Sequence, residues 1–235
     1  MEGFILPAKP ARARRHFLPK SDIEILFEDR DLIVIVKPAG LLTIATERER
    51  QRTAYAMLTE HVRRFRAARL FIVHRLDREA SGLIVFAKTP EAKAVLQKQF
   101  EDHSAGRTYL AVTEGRIPGD EFTVESLLAE NAAFHCYSTH DPTKGKRAVT
   151  HVKVLQRTPH RTLVEVRLET GRKHQIRVHL ADERFPIVGD PAYGNKRSPI
   201  RRMALHGAAL TFRHPHTGES MTFTAPLPAD VASLM

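Results

Sequence analysis

The sequence predicts an α+β domain with a mixed or antiparallel sheet core and flanking helices. Three observations point there: apolar runs of strand length recur along the chain, only two or three stretches carry helical spacing, and the two kinds do not alternate regularly. Ile23–Phe27 and Leu32–Val36 read as short strands parted by the turn-forming Glu28-Asp29-Arg30-Asp31, and Pro38 with Gly40 ends the second. Residues 53–66 place Ala54, Met57, Leu58, His61, Val62 and Phe65 at helical spacing, with Thr53 positioned as a cap. Leu70–Val73 and Leu83–Ala87 are apolar and strand-like. Thr89-Pro90-Glu91 starts a helix, with a capping hydroxyl, proline at the first helical position and an acid in the first turn. Thr108–Thr113, Val149–Leu155, Leu163–Leu168, Ala208–Phe212 and Met221–Phe223 are further strand candidates. Residues 1–20, with three prolines and scattered Arg, read as a flexible basic arm, leaving residues 21–235 as the folded domain.

Composition narrows the function. The chain has 235 residues, 42% hydrophobic and 27% charged, which is ordinary globular usage and long enough to bury its own core. No apolar run reaches the roughly 18 residues a membrane span needs. One cysteine, Cys136, excludes an internal disulfide and a cysteine-rich zinc module, so a reducing cytoplasm is the expected setting. Lys plus Arg is 37 against 27 for Asp plus Glu, a net charge of +10. The excess gathers in residues 1–20, 47–69 and 193–213, the last holding Lys196, Arg197, Arg201, Arg202 and Arg213 without an acid. Three basic patches without an acidic counterpart favour a nucleic acid, whose phosphates release counterions when neutralised. A membrane surface is disfavoured, since no segment joins a basic face to a strong aromatic and leucine face.

Common cofactor motifs are missing: no phosphate loop, no G-x-G-x-x-G turn, no G-x-S-x-G elbow and no H-E-x-x-H pair occur. Of the 13 histidines, His174 and His179 are five apart, which on a helix separates them by roughly 140°. No metal is expected. Two segments hold dense polar chemistry beside apolar runs. His74-Arg75-Leu76-Asp77 closes on Ser81-Gly82, and by spacing alone is also a turn that Asp77 caps. Gly171-Arg172-Lys173-His174-Gln175-Ile176-Arg177-Val178-His179-Leu180 is a short helix anchored by Ile176 and Leu180, and by spacing alone is also an exposed basic helix.

Together these segments resemble the RNA pseudouridine synthases of the RluA type. The likeness runs from Lys37-Pro38-Ala39-Gly40 through His74-Arg75-Leu76-Asp77, Ala80-Ser81-Gly82-Leu83 and Phe86-Ala87-Lys88. It continues through Gly171-Arg172, His174 to His179, Gly189-Asp190-Pro191, Tyr193-Gly194, Leu205-His206 and His214-Pro215, in the family's order over about residues 22–227. Departures are small. Ala80 and Lys173 stand where Thr is common, Gly207 where Ala is usual and Val36 where Asn is frequent, and Leu41 to Ile44 lack a frequent His-Pro. Only about 20 residues precede the first strand, so the S4 RNA-binding module of many relatives is not expected.

The resemblance implies the family's mixed-sheet catalytic fold with a central cleft, and an isomerase that turns uridine into pseudouridine in structured RNA, ribosomal or transfer. Asp77 matches the catalytic aspartate, Arg177 the arginine paired with it, and Tyr109 the tyrosine against the target base. Arg75 matches the arginine that fills the gap left by the flipped nucleotide. His74, Arg172, Lys173, His174, Gln175, Lys196 and Arg197 are the further candidate RNA contacts. The reaction detaches uracil from C1′ and rejoins it through C5, so atoms balance without a cofactor, and none is expected. A carboxylate suits it, either attacking C1′ or removing a C2′ proton. An adjacent guanidinium holds such a carboxylate charged. A monomer with no obligate protein partner is the expectation. Competing readings are a catalytically silent RNA-binding or ribosome-assembly protein on the same scaffold, and a glycosidase using Asp77 and Glu79.

Overall fold

The computed structural model describes residues 16–18, 21–47, 49–64, 69–195 and 197–235. In chain order the elements are β1 (His16–Phe17), β2 (Glu24–Glu28), β3 (Leu32–Lys37), α1 (Ala54–Arg64), β4 (Phe71–Ile72), β5 (Ser81–Ala87), α2 (Pro90–Glu101) and β6 (Gly106–Glu114). There follow β7 (Glu121–Glu130), β8 (Cys136–Thr139), β9 (Lys146–Arg157), β10 (Arg161–Leu168), α3 (Gln175–Asp182), β11 (Leu205–Arg213), β12 (Ser220–Thr224) and α4 (Ala229–Ala232). The expected basic arm falls outside the described residues except at 16–18, where His16–Phe17 pair with β2.

All the strands join one mixed sheet of order β1-β2-β3-β5-β11-β6-β10-β9-β7-β8, with β4 on β5 and β12 on β11. Every pairing between these strands is antiparallel except β5 with β11, which run parallel where Ser81 and Gly82 face His206 and Gly207. That short parallel contact is the seam between two half-sheets. β3 and β5 are continuous apolar runs because both of their faces are covered. Ile33, Ile35, Ile84 and Phe86 join the cluster that holds Leu58 and Val62 of α1. Leu32, Val34, Val85 and Ala87 turn to the opposite cluster, with Ala92 and Leu96 of α2.

Both predicted helix starts are in place. Thr53 Oγ1 accepts from the Ala56 N–H at 3.1 Å, and Thr89 Oγ1 from the Ala92 N–H at 3.1 Å. The sequence reading missed β7 and β8. β7 alternates exposed Glu121 and Glu125 with inward Val124 and Leu128, a polar-rich strand that only the short β8 separates from the sheet edge. Among the described residues no helix is long and apolar enough to cross a membrane.

The seam has a steric requirement. Gly82 sits at φ +123°, and a Cβ there would overlap the backbone N, Cα and O of Gly207. Gly207 itself has room, since a Cβ would meet Leu83 N at 3.4 Å, an ordinary contact. Gly82→Ala therefore costs on the order of 3–5 kcal/mol, as overlap and backbone strain add. Gly207→Ala costs under about 1 kcal/mol on the same scale. Urea denaturation of the two variants checks the contrast.

Candidate active site

The cleft opens beside the seam, and each half-sheet contributes to it. Residues 73–80 leave β4 as an irregular loop and carry Asp77 to the edge of the seam before β5 begins. From the other half, β6 supplies Tyr109, paired across to Gly207, and α3 supplies Arg177. These three side chains, called together from positions as distant as 77 and 177, line one cleft with Arg75, Arg107, Arg172, Lys173 and His174. It encloses about 100 Å³. The cleft is open at its mouth, so a ligand can extend from it into solvent.

Arg177 is the fixed point. Its side chain is 2% exposed and its Nε and one terminal nitrogen both donate to Asp190 at 2.8 Å, a two-point fork. The remaining terminal nitrogen donates to Asp77 Oδ2 at 3.1 Å and lies 3.6 Å from Glu79. Tyr193 stacks under the guanidinium at 5.2 Å. Asp190 is held in turn by the N–H groups of Ala192 and Tyr193, which donate to its Oδ1 at 2.9 and 3.1 Å. Burial works to raise the Asp190 pKa, but the bonds and charge of Arg177 together with these amides outweigh it and hold it below the ordinary value. Asp190 was read from sequence only as part of a motif; its role as the anchor of Arg177 is visible once the fold closes a 13-residue gap.

The Asp77 loop is held from behind. Lys37 is fully buried, and its Nζ donates to the carbonyls of Pro38, Leu41 and Ala80 at 2.7–2.8 Å and of Arg78 at 3.3 Å. Burial pulls its pKa down to about 7, opposed by Asp77 and Glu79. Four carbonyl acceptors call for all three hydrogens of the ammonium, which favours the charged form. Thr43 Oγ1 donates to the Leu76 carbonyl at 2.8 Å and accepts from the Leu76 N–H at 3.3 Å. The Leu41 to Ile44 segment thus clamps the loop without a His-Pro. Sequence gave no sign of either role.

Tyr109 lies in the wall, 6% exposed. Burial pushes its phenol up, with Arg107 opposing and Asp77 adding, so it stays a neutral hydroxyl. Arg75 is exposed at the cleft mouth. Arg172 is exposed beside it and donates through Nε to the Arg147 carbonyl. Lys173 pairs with Glu130 and donates to the Phe134 carbonyl at 3.0 Å. His174 sits in the left-handed region at φ 55°, immediately before α3, with Nε2 3.9 Å from Asp77 Oδ2. Arg197 is exposed and outside the cleft lining, and Lys196 lies outside the described residues.

Two expected RNA contacts are taken up by the fold instead. Gln175 is 2% exposed, and its amide donates to the Val149 carbonyl and Thr150 Oγ1 while accepting from Thr170 Oγ1 and the Arg172 N–H. That leaves nothing for a ligand. His74 Nε2 accepts from the Val85 N–H at 3.1 Å and its ring stacks on Phe100 at 4.4 Å. Burial drives its pKa down to about 3, so it is neutral and tethers the loop to β5. Arg202, counted in a basic patch, is likewise turned inward and donates to Ser81 Oγ at 2.5 Å.

Arg107 is a cleft residue that the sequence reading missed. Its guanidinium lies 5.4 Å from the Phe100 ring, with Gly171 close on another side, where a Cβ would meet its terminal nitrogens at 3.0–3.1 Å. No carboxylate among the described residues is within ion-pair distance of it. It stands between the catalytic cleft and a second groove of about 430 Å³ that also touches Arg75, His103 and Arg172, with Glu101 at its edge. An R-x-Y spacing, Arg107 two before Tyr109 on one strand face, is the signal that could have found it.

For a metal, Asp29, Asp31 and His214 are the candidate cluster among the described residues. His214 Nδ1 accepts from the N–H groups of His216 and Thr217, and its Nε2 donates to Asp29 at 2.7 Å. Both nitrogens are used, so the cluster does not fit a cation. His179 is separate from His174, bonding Ser126 and Thr150.

Comparison with known proteins bears on what such a cleft serves. A family model described as RNA pseudouridylate synthase matches residues 31–182. Ribosomal large subunit pseudouridine synthase D of Neisseria meningitidis serogroup B is 36% identical over 248 residues, covering 100% of this chain; the chain spans 66% of that protein's length. The RNA pseudouridine synthase YlyB of Bacillus subtilis is 38% identical over 219 residues, 91% of this chain and 72% of its own. The human protein RNA pseudouridylate synthase domain containing 4 shares the fold, with a TM-score of 0.73 at 24% identity over 88% of this chain and 90% of that one.

The Arg177–Asp190 fork gives a stability prediction with a definite sign in pH. The Asp190 carboxyl is depressed in the folded state, so the unfolded chain takes up its proton first on acidification. Its stabilisation is complete above the unfolded pKa near 4 and drains as pH falls through the lower folded value. Asp190→Asn leaves the buried guanidinium half-paired and costs on the order of 3–5 kcal/mol at pH 7. Between pH 5 and pH 2 the variant loses less further stability than the wild type. Urea denaturation across that range reads both effects.

Proposed function

The chain belongs to the RNA pseudouridylate synthase family, and from that membership and the geometry of its cleft we propose that it isomerises uridine to pseudouridine in RNA. One observation carries the reading. The Asp77 carboxylate, 25% exposed, faces the cleft and is held at 3.1 Å by a guanidinium that is itself fixed from behind. In this reading an everted uridine enters with its ribose against Asp77 and its base beside Tyr109. Asp77 acts on the ribose, at C1′ or at the C2′ proton, and the C1′–N1 bond breaks. The freed uracil turns within the cleft and rejoins C1′ through C5.

Arg177 aims the carboxylate and sets a fixed positive charge beside it, because a guanidinium stays protonated at any working pH. Tyr109, a neutral phenol, offers a ring face to the base, a contact worth about 1–3 kcal/mol. Arg75, exposed and without a hydrogen-bond or ion-pair partner among the described residues, is placed to fill the stack that the uridine leaves. Arg107, Arg172 and Lys173 offer positive charge to the flanking phosphates. The Neisseria relative is named for the large ribosomal subunit, which makes large-subunit ribosomal RNA the substrate to test first. A cytoplasmic monomer needing no cofactor completes the proposal.

Tritium release from an unmodified large-subunit ribosomal RNA transcript carrying 5-tritiated uridine tests the reading. The wild type releases tritium and Asp77→Asn lowers the rate by on the order of 10³-fold or more while binding is kept. Binding without release by the wild type points to a silent RNA-binding protein, and free uracil among the products to a base-releasing hydrolase. For the basic rim, Arg107→Gln flattens the slope of log affinity against log salt by roughly 0.7–0.9, the loss of one phosphate contact. Filter binding between 50 and 200 mM salt measures it.

A further inference from the structure

Isomerisation ends with a proton that has to leave C5, and the groups already assigned are poor receivers for it. Tyr109 is held as a neutral phenol by burial. Asp77 shares its Oδ2 with the Arg177 guanidinium. Resting on the reading above, we propose that His174 is a catalytic base in the same cleft, its Nε2 taking the C5 proton in the last chemical step.

Assigning the Tyr193 hydrogen to the Cys136 carbonyl decides which nitrogen is free. Tyr193 Oη braces the β8 backbone, donating to the Cys136 carbonyl at 3.1 Å and accepting from the Cys136 N–H at 3.2 Å. Its single hydrogen is thereby used, so at 3.0 Å from His174 Nδ1 the phenol oxygen accepts and Nδ1–H donates. In the neutral ring the lone pair then lies on Nε2. That atom is 3.9 Å from Asp77 Oδ2, too far for a hydrogen bond, and the ring lines the cleft with its side chain 20% exposed. A base bonded to a ribose that touches Asp77 passes within reach of Nε2 as it turns.

The local backbone is consistent with a functional rather than a structural assignment. His174 is one of four non-glycine residues at positive φ among those described, and it makes no side-chain cap to α3. A non-glycine residue in the left-handed region costs stability and persists where surroundings enforce it. Here the Tyr193 bond and the start of α3 aim the ring inward. Charged groups act on it from several elements. Burial is the largest influence and lowers its pKa, as do Arg177 and Lys173, while Asp77 and Glu79 oppose them. The net shift is downward, which favours the neutral ring whose Nε2 carries the lone pair.

The step balances without a co-reactant. After C1′–C5 bond formation, C5 carries both C1′ and its original hydrogen. The Nε2 lone pair takes that hydrogen as a proton, the C5–H electron pair becomes the C5=C6 double bond, the C6=N1 π pair returns to N1, and N1 takes a proton from water, so the uracil ring is restored with one proton lost at C5 and one gained at N1. The imidazolium, its Nδ1–H still bonded to Tyr193, passes the proton to solvent at the cleft mouth.

Two labelled substrates isolate this step. His174→Asn keeps a side chain that tolerates the left-handed backbone. On 5-tritiated ribosomal transcript the variant loses 10²–10⁴-fold in kcat, about what a general base contributes, with KM within about twofold. With 5-deuterated uridine it shows a primary isotope effect larger than that of the wild type. On transcript carrying 5-fluorouridine, where C5 has no proton to lose, its cleavage and turning of the base match the wild type, read as disappearance of 5-fluorouridine from nuclease digests. His174→Gly recovers tritium release when free imidazole is added. Tritium release within about threefold of wild type, or an equal loss on the 5-fluorouridine substrate, overturns the base role and leaves the isomerase reading intact. A wild-type protein inert on both substrates overturns the isomerase reading and this role with it.

Discussion

The site depends on one buried guanidinium held from three sides. Arg177 could not serve Asp77 if it were free to choose its partner, because an arginine on a short helix has several rotamers and water competes for each. Asp190 removes that freedom by taking two of its nitrogens in a fork, and Tyr193 closes one face. What remains is a single donor aimed at Asp77 Oδ2. The desolvation of Arg177 and Asp190 is offset inside the pair, whereas Asp77 stays partly solvated and can still change partners when a ribose arrives. A carboxylate in the same fork as Asp190 would be too well satisfied to react.

The second constraint is how the Asp77 loop is kept still although it has no regular structure. Its backbone is tied to the Pro38–Thr43 segment by the Lys37 ammonium and the Thr43 hydroxyl, and to β5 by His74. These bonds run to carbonyl and amide groups that an irregular loop would otherwise leave without partners. The loop enters β5 at Gly82, where the two half-sheets touch closely enough that only a glycine fits. Asp77 from one half and Tyr109 and Arg177 from the other are therefore registered by a backbone contact, which is stiffer than any side-chain packing.

How much of this was legible follows from range. Local signals read correctly: the Thr89-Pro90 helix start, the apolar runs of β3 and β5, and the short helix after Gly171 all reflect interactions within a few residues. β7 and β8 stayed hidden because an edge hairpin that is half solvated has no apolar run to betray it. Asp77 and Arg177 came from motif resemblance, since spacing alone allowed a turn and an exposed helix. Gln175 and His74 show the limit of such reading. Their polar side chains sit inside motifs that look like ligand-binding surface, yet they satisfy buried backbone, and only three-dimensional bonding separates the two uses. Lys37, Thr43 and Asp190 act on residues brought close by folding, and no local pattern announces that.

The distribution of charge connects the fold to the chemistry. Around Asp77 the interior groups include the carboxylates of Glu79 and Asp190 as well as Arg177 and Lys37, so the bottom of the cleft is of mixed charge. The rim, with Arg75, Arg107, Arg172 and Lys173, is positive. A uniformly basic cleft would attract RNA and then hold its phosphate at the bottom. In the proposed reaction the mixed interior would leave phosphates on the rim and admit the neutral base and ribose. It also suits the transition state, because breaking a glycosidic bond builds positive charge at C1′ in the manner of an oxocarbenium ion. Charges fixed before the substrate arrives need no rearrangement when that charge develops. The arginine that holds Asp77 therefore must not pair with it fully, and sharing Arg177 with Asp190 is what prevents that.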